Sequence, residues 1–328
     1  MQIAVTGSIA TDHLMQFAGR FSDSLVVDQL DKISLSFVVD QLAVRRGGVA
    51  GNISFGMGML GLRPLLVGAV GKDFDDYRAW LEEHGVDTSS VRVSETRHTA
   101  RFVCTTDEVT AQIGTFYSGA MAETREISLP GVAADHGGLD LVVIAASDPD
   151  GMLRHTGECR AGGYPFLADC SQQLAFMDGE GIRSLVDGAR YLFTNEYEAT
   201  LTEQKTGWTH EQILDRVGTR VTTLGAEGAR IESTDAAPIQ VKAAPVREVR
   251  DPTGGGDGFR AGFLAGLSWG LDHERCAQLG SVLAAYVLEV AGPQEYEFTR
   301  PEFLGRFTEA FGADAAAEVE PHLVGTGA

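Results

Sequence analysis

Short apolar runs ending in small or polar residues alternate along the chain with helical patterns. Runs of this kind predict buried strands, and apolar residues at helical spacing predict the helices between them. The predicted strands are QIAVTGS (2–8), PLLVGAVG (64–71), LDLVVIAAS (139–147), YPFLADC (164–170), ARYLFTN (189–195) and GTRVTTLG (218–225). The predicted helices cover 48–62, 73–86 (begun by Asp73 and stopped by Gly85), 151–161, 178–188 and 196–217. This alternation favours an α/β fold with a doubly wound, mostly parallel sheet flanked by helices, whose ligands bind beyond the carboxyl ends of the strands.

Two segments, 32–46 and 99–117, instead alternate apolar and polar residues with a period of two. The second has a turn-like Thr106–Asp107–Glu108 at its centre, so it is typical of a β-hairpin. We therefore expect one domain over 1–328, with a small β-sheet lid formed by about 12–17, 32–46 and 97–117. The alanine-rich tail from about 313 predicts a last helix with a frayed end.

Composition limits the classes of protein. The 328 residues are 44% hydrophobic and 22% charged, as in globular domains, and the net charge of −20 argues against a nucleic-acid groove or binding to an anionic membrane. Four scattered cysteines without a CxxC pair predict free thiols in a reducing compartment. The start MQIAVTGSIA lacks the basic region of a signal peptide, and no apolar run approaches about 18 residues, so a cytoplasmic protein is expected.

The stretch DPTGGGDGFRAGF (251–263) places a glycine loop just before a helical pattern. Gly254, Gly255 and Gly256 can take positive φ, which would bring three amides and a helix N-terminus to one point, a natural site for phosphoryl oxygens. Asp257 would then be a base at the rim of this loop. The alternative is that Asp257 is the helix N-cap, a frequent position for aspartate, and the loop alone does not decide between the two.

Two further motifs have two interpretations each. In NEYE, Asn195 and Glu198 lie at i, i+3 and could hold Mg²⁺ through waters, or form a capping box. TTLGAEG (222–228) suits a nucleotide sugar across a strand end, but a plain turn is equally common. No GxxxxGK[ST] motif occurs, which argues against a P-loop nucleotidase.

Taken together, these motifs resemble those of the ribokinase-like (PfkB) family of sugar and nucleoside kinases. DPTGGGDGFRAGF resembles its DTxGAGD signature, GGVAGN (47–52) its N-terminal glycine signature, and NEYE its NxxE magnesium motif. The resemblance covers nearly the whole chain in the same order. Within the family, VTGSIATDHL, SLSF, HTARFVCTTD, DCSQQLA and GPQEYEF are most similar to bacterial adenosine kinases. This resemblance implies a ribokinase-like fold. It also implies ATP- and Mg²⁺-dependent transfer of a γ-phosphoryl group to the 5′-hydroxyl of adenosine, a purine-salvage reaction.

The same resemblance assigns roles to individual residues. Asp257 becomes the base, and the amides of Gly254, Gly255 and Gly256 stabilise the transferring oxygens. Asp12 clasps the ribose hydroxyls, and Gly48 and Asn52 complete the sugar pocket. The residues around the base are Ser8, Ser36, Phe102 (the stacking face), Phe116, Gln172 and Gln173. The ATP residues are Asn195, Thr223, Gly225, Gly228 and Gly256, and the magnesium residues are Asn195 and Glu198. Relatives often pair through the lid, so a homodimer is expected; a monovalent cation near 251–256 stays open.

Some positions depart from the family pattern. Gly255 replaces the usual Ala or Val and Gly258 the usual Ala, so we expect a looser cradle. Phe176 stands where the most similar relatives carry arginine, which favours a specialised or modified nucleoside as an alternative to adenosine. A free sugar is a further alternative. It has no base to stack on Phe102 and Phe116, so it would not use these rings unless they only pack the lid. A non-catalytic nucleoside-binding protein would not need Asp257, and a Rossmann dehydrogenase would have GxGxxG in place of TGSIATD (6–12).

Overall fold

The computed structural model describes residues 1–24, 32 and 34–323. Its strands are β1 (Ile3–Thr6), β2 (Ala10–Gln16), β3 (Gln41–Gly47), β4 (Leu65–Val70), β5 (Val91–Val93), β6 (Ala100–Thr106), β7 (Gln112–Tyr117), β8 (Leu141–Ile144), β9 (Phe166–Ala168), β10 (Tyr191–Asn195), β11 (Thr219–Thr223), β12 (Ala229–Glu232) and β13 (Ile239–Val241). Its α-helices are α1 (Phe21–Ser24), α2 (Val49–Met59), α3 (Asp75–Glu83), α4 (Leu129–His136), α5 (Pro149–Gly162), α6 (Gln173–Phe176), α7 (Gly179–Val186), α8 (Glu196–Thr206), α9 (His210–Leu214), α10 (Gly255–Ser268), α11 (His273–Leu288), α12 (Arg300–Phe311) and α13 (Ala313–Val319).

Nine of these strands form the main sheet, in the order β13-β12-β11-β10-β9-β8-β1-β4-β5. Strands β1, β4, β5, β8, β9, β10 and β11 pair in parallel, whereas β12 and β13 are antiparallel additions at one edge. Strand order reverses beside β1, as in a doubly wound sheet. The predicted fold class and all six predicted strands are confirmed.

Each face of the main sheet is covered by its own hydrophobic core. Along β1, Ile3 and Val5 pack into the core that holds α2, α10 and α11, while Ala4 packs into the core that holds α4, α5 and α7. Strand side chains alternate between the two faces of a sheet, so a strand buried on both sides is apolar throughout. This explains why the sequence shows continuous apolar runs here.

Two predicted helices have different boundaries in the structure. Helix α3 begins at Asp75, because the Asp73 carboxylate accepts hydrogen bonds from the Thr99 amide and hydroxyl, both at 2.8 Å, and pairs with Arg101. The helix predicted over 196–217 is two helices, since Gly207 at φ 69° ends α8. No helix in the described ranges is long and apolar enough to cross a bilayer.

Helix α10 packs closely on α11 through glycines. A Cβ on Gly258 would lie 2.7 Å from Cγ2 of Val287, and one on Gly262 would lie 2.6 Å from the carbonyl oxygen of Leu279. Both are closer than atoms pack in real interiors, so an alanine would force the helices apart. Gly258 therefore allows the two helices to approach, a packing role that the expectation of a looser cradle did not include.

The four remaining strands form a separate sheet, called the lid below, in the order β3-β2-β6-β7. Strand β2 is antiparallel to β3 and parallel to β6, and β6 and β7 form the predicted hairpin. Asp107 closes that hairpin turn by accepting the amides of Val109 and Ala111 at 3.0 and 2.8 Å. The strand predicted over 32–46 is shorter than expected: it begins at Gln41, 34–39 has no regular structure, and 33 lies outside the described residues.

The four cysteines are free and buried. The predicted last helix is α13, followed by a short 3-10 helix over Glu320–His322. The tail beyond 323, where we predicted fraying, lies outside the described residues.

Candidate active site

A cavity of about 710 Å³ opens between the carboxyl ends of the central strands and the lid. Most of the predicted site residues line it, although they come from positions throughout the chain. They are Ser8, Asp12, Gly48, Asn52, Phe102, Phe116, Gln172, Gln173, Asn195, Glu198, Thr223, Gly225, Gly254, Gly256 and Asp257. An adjoining cavity of about 580 Å³ shares Thr223, Gly225 and Gly256 and adds Gly228 and Gly255. Ser36 is exposed on the segment before β3 and lines neither cavity.

The glycine loop delivers the N-terminus of α10 to the meeting point of the two cavities. Gly254 is the N-cap residue, at φ 81°, and the helix begins at Gly255. A side chain at Gly254 would be strained, and its Cβ would lie 2.4 Å from Cβ of Pro293. Of the three loop glycines, Gly254 alone has positive φ, so the prediction for Gly255 and Gly256 is wrong. The first amides of a helix lack intrahelical acceptors, which makes this end suited to an anion.

Asp257 lies in the first turn of α10 and is not its N-cap, so the capping interpretation is wrong. Its Oδ2 atom instead accepts a hydrogen bond from Nδ2 of Asn52 at 2.8 Å, across the cavity wall. Burial raises the pKa of Asp257 to about 6, although Arg260 and the Asn52 hydrogen bond act in the opposite direction. A carboxylate with a raised pKa at a cavity wall is suited to accepting a proton.

A row of side chains crosses the lid on the face that lines the cavity. Asp12 on β2 is paired with Phe102 on β6, which is paired with Phe116 on β7. The two phenylalanine side chains are 37% and 53% exposed, so they are not packed into the lid interior. Burial, with a smaller contribution from Asp251, raises the pKa of Asp12 to about 6. Phe176, at the end of α6, also lines this cavity and is 81% exposed.

Asn195 and Glu198 form the capping box of α8. Oδ1 of Asn195 accepts the Glu198 amide, and Oε2 of Glu198 accepts the Asn195 amide, both at 2.8 Å. Glu198 also lines the cavity, and burial raises its pKa. Because a carboxylate has about four acceptor positions, the capping bond leaves Glu198 able to accept further hydrogen bonds.

A buried ion pair stands behind the loop, and sequence reasoning missed it. Arg260 Nη2 donates to Oδ1 of Asp169 at 2.7 Å, and Nε lies 2.6 Å from Oδ2. The two side chains are 7% and 0% exposed. Arg260 lines the cavity, and a Cβ on Gly256 would lie 2.7 Å from its Nη1 atom, so Gly256 makes room for the guanidinium. The available signal was an arginine among the apolar residues that follow the first turn of α10.

Residues 9–299 match the model of the pfkB family of carbohydrate kinases. The chain belongs to this family. This family member is 30% identical over 289 residues to a nucleoside kinase of Methanothermobacter thermautotrophicus, covering 87% of this chain and 92% of the relative. It is 29% identical over 250 residues to a nucleoside kinase of Methanocaldococcus jannaschii, covering 76% and 80% of the two chains. Among solved structures, Burkholderia thailandensis nucleoside kinase in complex with inosine is 34% identical, with a TM-score of 0.83 over 95% of this chain and 99% of that one.

The family match confirms the kinase prediction and excludes the Rossmann dehydrogenase alternative. A kinase must bring an acceptor alcohol and a phosphoryl donor to one point. The two adjoining cavities meet at Gly256, beside Asp257 and the amides of α10. An acceptor in one cavity and a donor in the other would meet at this point.

Proposed function

We propose that this kinase transfers the γ-phosphoryl group of ATP to the 5′-hydroxyl of a nucleoside, with adenosine as the acceptor. The observation that carries the proposal is the lid row that faces Asp257 across one cavity: a carboxylate, Asp12, followed by two exposed aromatic rings, Phe102 and Phe116. A carboxylate suits the vicinal hydroxyls of ribose, and aromatic faces suit a nucleobase. The nucleoside kinases among the similar proteins support the same class of acceptor.

In this proposal the chain orients the acceptor and receives its proton. Asp12 accepts hydrogen bonds from the ribose hydroxyls, while the phenylalanine rings and the amides of Gln172 and Gln173 surround the base. Asp257 accepts the proton of the 5′-hydroxyl as the bond to phosphorus forms. The first amides of α10 and the guanidinium of Arg260 stabilise charge on the transferring oxygens.

The adjoining cavity is the proposed site of the donor nucleotide, and Thr223, Gly225 and Gly228 lie along its wall. The described residues hold no group of three or more acidic, His or Cys side chains that could bind a metal ion. The two side chains with oxygen ligands at this wall, Asn195 and Glu198, fit Mg²⁺, which keeps several waters and binds substrate phosphates with one or two protein groups. Glu198 and Asn195 would hold such an ion through water, and the ion would neutralise phosphate charge when bound.

Turnover of an acceptor panel tests the proposed function. With ATP and Mg²⁺, we expect adenosine to give the highest kcat/KM, and ribose to react far more slowly because it makes no contact with Phe102 or Phe116. Inosine is the second candidate, because the similar Burkholderia thailandensis structure contains it. The side-chain amides of Gln172 and Gln173 can either donate to or accept from the edge of a purine, so they suit both nucleosides. Efficient turnover of free sugars, with none of nucleosides, would contradict the proposal.

The decrease of kcat/KM at low pH, called the acid limb below, is a second test. Because the base acts as the carboxylate, kcat/KM should fall as pH decreases through about 6, the raised pKa of Asp257. The pKa of Asp12 is raised to about the same value, so both groups contribute in the wild type. An Asp12→Asn variant should keep a limb near pH 6 from Asp257 alone. A limb near the ordinary aspartate pKa of about 3.9 would argue against a buried base.

A homodimer through the lid is also proposed. The lid face opposite the Asp12 row exposes Leu42, Val44, Ile113 and Tyr117, whose side chains are 44–59% exposed. An apolar patch of this kind on a sheet is typical of a surface that another chain covers. We expect the mass in solution scattering to be that of two chains and to fall in a Val44→Asp variant. A monomer mass at all concentrations would refute it.

A further inference from the structure

Gln294 lies behind the pair formed by Asn52 and Asp257 and is 1% exposed. Its Nε2 atom donates one hydrogen bond to Oδ1 of Asn52 at 2.9 Å and another to the Tyr77 hydroxyl at 2.5 Å. The Tyr77 hydroxyl in turn donates to the carbonyl oxygen of Gly47 at 2.9 Å. A chain of hydrogen bonds therefore runs from the Asp257 carboxylate to the end of lid strand β3.

The chemistry of the two ends determines the direction of every bond in this chain. A carboxylate and a backbone carbonyl can only accept, so Asn52 must present its NH₂ group to Asp257 and Tyr77 must donate to Gly47. Oδ1 of Asn52 and the oxygen of Tyr77 are then left as acceptors. Gln294 lies between them and supplies both donors from one NH₂ group.

Packing alone does not explain a glutamine at this position. Among the described residues, Oε1 of Gln294 is buried and has no hydrogen-bond partner. Leaving a buried acceptor unpaired is costly, whereas an apolar side chain of similar size would fill the space without that cost. The two donors of the amide are what the position uses.

We propose that Gln294, held by Tyr77, is a positioning residue that fixes the orientation of the Asn52 amide and, through it, of the Asp257 carboxylate. The inference rests on the proposed function, in which Asp257 is the base. Without Gln294 the Asn52 amide can turn and present its oxygen to Asp257, and two acceptors in contact repel each other. The charged and titratable groups that face Asp257 are Arg260, Asp169, Glu198, Tyr77 and Tyr296.

Two substitutions at Gln294 separate hydrogen bonding from packing. Gln294→Met keeps the volume and removes both donors, and we expect kcat to fall about tenfold, the usual effect of one lost hydrogen bond in a buried network. Gln294→Glu is nearly isosteric, but its carboxylate accepts from Asn52 and turns the amide, so kcat should fall further.

Both variants should move the acid limb of kcat to higher pH, because the Asn52 hydrogen bond lowers the pKa of Asp257. Tyr77→Phe should show a smaller change in the same direction.

Gln278→Met is the matched control. This glutamine on α11 is also buried, and its amide bonds only with Arg275 and Glu274 in the described structure. It does not line either cavity, so kcat and the pH profile should stay at wild-type values. Equal losses in Gln278→Met and Gln294→Met would show a general packing effect and overturn the proposal.

A double-mutant cycle tests whether Gln294 acts through Asn52. In an Asn52→Ala background, Gln294→Met should cause no further loss of kcat, because the amide that it orients is gone. Multiplicative losses would mean that the two residues act independently, which would overturn the proposal.

A measurement without turnover separates this inference from the proposed function. In ¹⁵N-labelled protein, the side-chain NH₂ signals of Asn52, assigned by their loss in Asn52→Ala, should move with pH as Asp257 ionises. In Gln294→Glu that pH response should be lost, since the NH₂ group then faces residue 294. If the wild type phosphorylates no nucleoside, the proposed function fails, but these signals still decide the positioning role. An unchanged pH response in Gln294→Glu would overturn it.

Discussion

An Asp257→Ala variant is expected to lose at least about a hundredfold in kcat while remaining folded, since general bases typically contribute this much. The carboxylate stands in the first turn of α10, at the wall of the cavity, and its pKa is raised to about 6 by burial. The other carboxylates described in or behind this cavity have other positions: Asp12 lies on lid strand β2, Glu198 is held in the capping box of α8, and Asp169 is paired with Arg260. The measurement is steady-state turnover of the best nucleoside with ATP and Mg²⁺.

Asp257→Asn is the control for this prediction. The asparagine oxygen can still accept the hydrogen bond from Asn52, so the local structure is kept while the proton acceptor is lost. We expect the same loss of kcat, with KM for the nucleoside close to that of the wild type. Substantial turnover in Asp257→Asn would show that the residue orients the substrate and does not accept the proton.

Removing Asp169 is expected to lower the free energy of unfolding by about 3–5 kcal/mol, the usual effect of leaving one partner of a buried ion pair uncompensated. Asp169 is fully buried at the end of β9 and makes two contacts with the guanidinium of Arg260. In Asp169→Ala that cation remains inside the protein without its counter-ion. Urea unfolding followed by circular dichroism measures the change.

Two variants show whether the missing counter-ion is the cause. Asp187→Ala removes a carboxylate that is 60% exposed and 3.9 Å from Arg216, and it should change stability by less than about 1 kcal/mol. Arg260→Met in the Asp169→Ala background removes the unpaired charge and should restore part of the lost stability. If the double variant is no more stable than Asp169→Ala, the loss comes from the cavity left by the side chain. Activity is expected to stay low in the double variant, because Arg260 lines the candidate active-site cavity.

Much of the candidate site follows from local signals. Buried parallel strands are continuous apolar runs, and the polar residues that end them meet at one edge of the sheet, so Ser8, Asn195 and Thr223 could be placed beside one another before the structure was known. The glycine loop was found from its position before a helical pattern, and the resemblance to the ribokinase-like family gave Asp257 its expected role as the base. Ser36 could not be placed in this way, because it lies on a segment without regular structure, and the sequence pattern there predicts a strand.

The sequence by itself determined the central strands and several of the helices between them through their apolar periods, and its compact motifs identified the kinase family. The resemblance to that family then gave most of the predicted residues that line the cavity. The tertiary structure decided what those residues do. Arg260 and Asp169 are 91 positions apart, and Gln294 and Asn52 are 242 apart, so their hydrogen bonds have no local pattern. The raised pKa of Asp257 likewise depends on burial by distant elements. Local periodicity reports which face of an element is buried, whereas the partner of a buried polar group is determined only when the chain has folded.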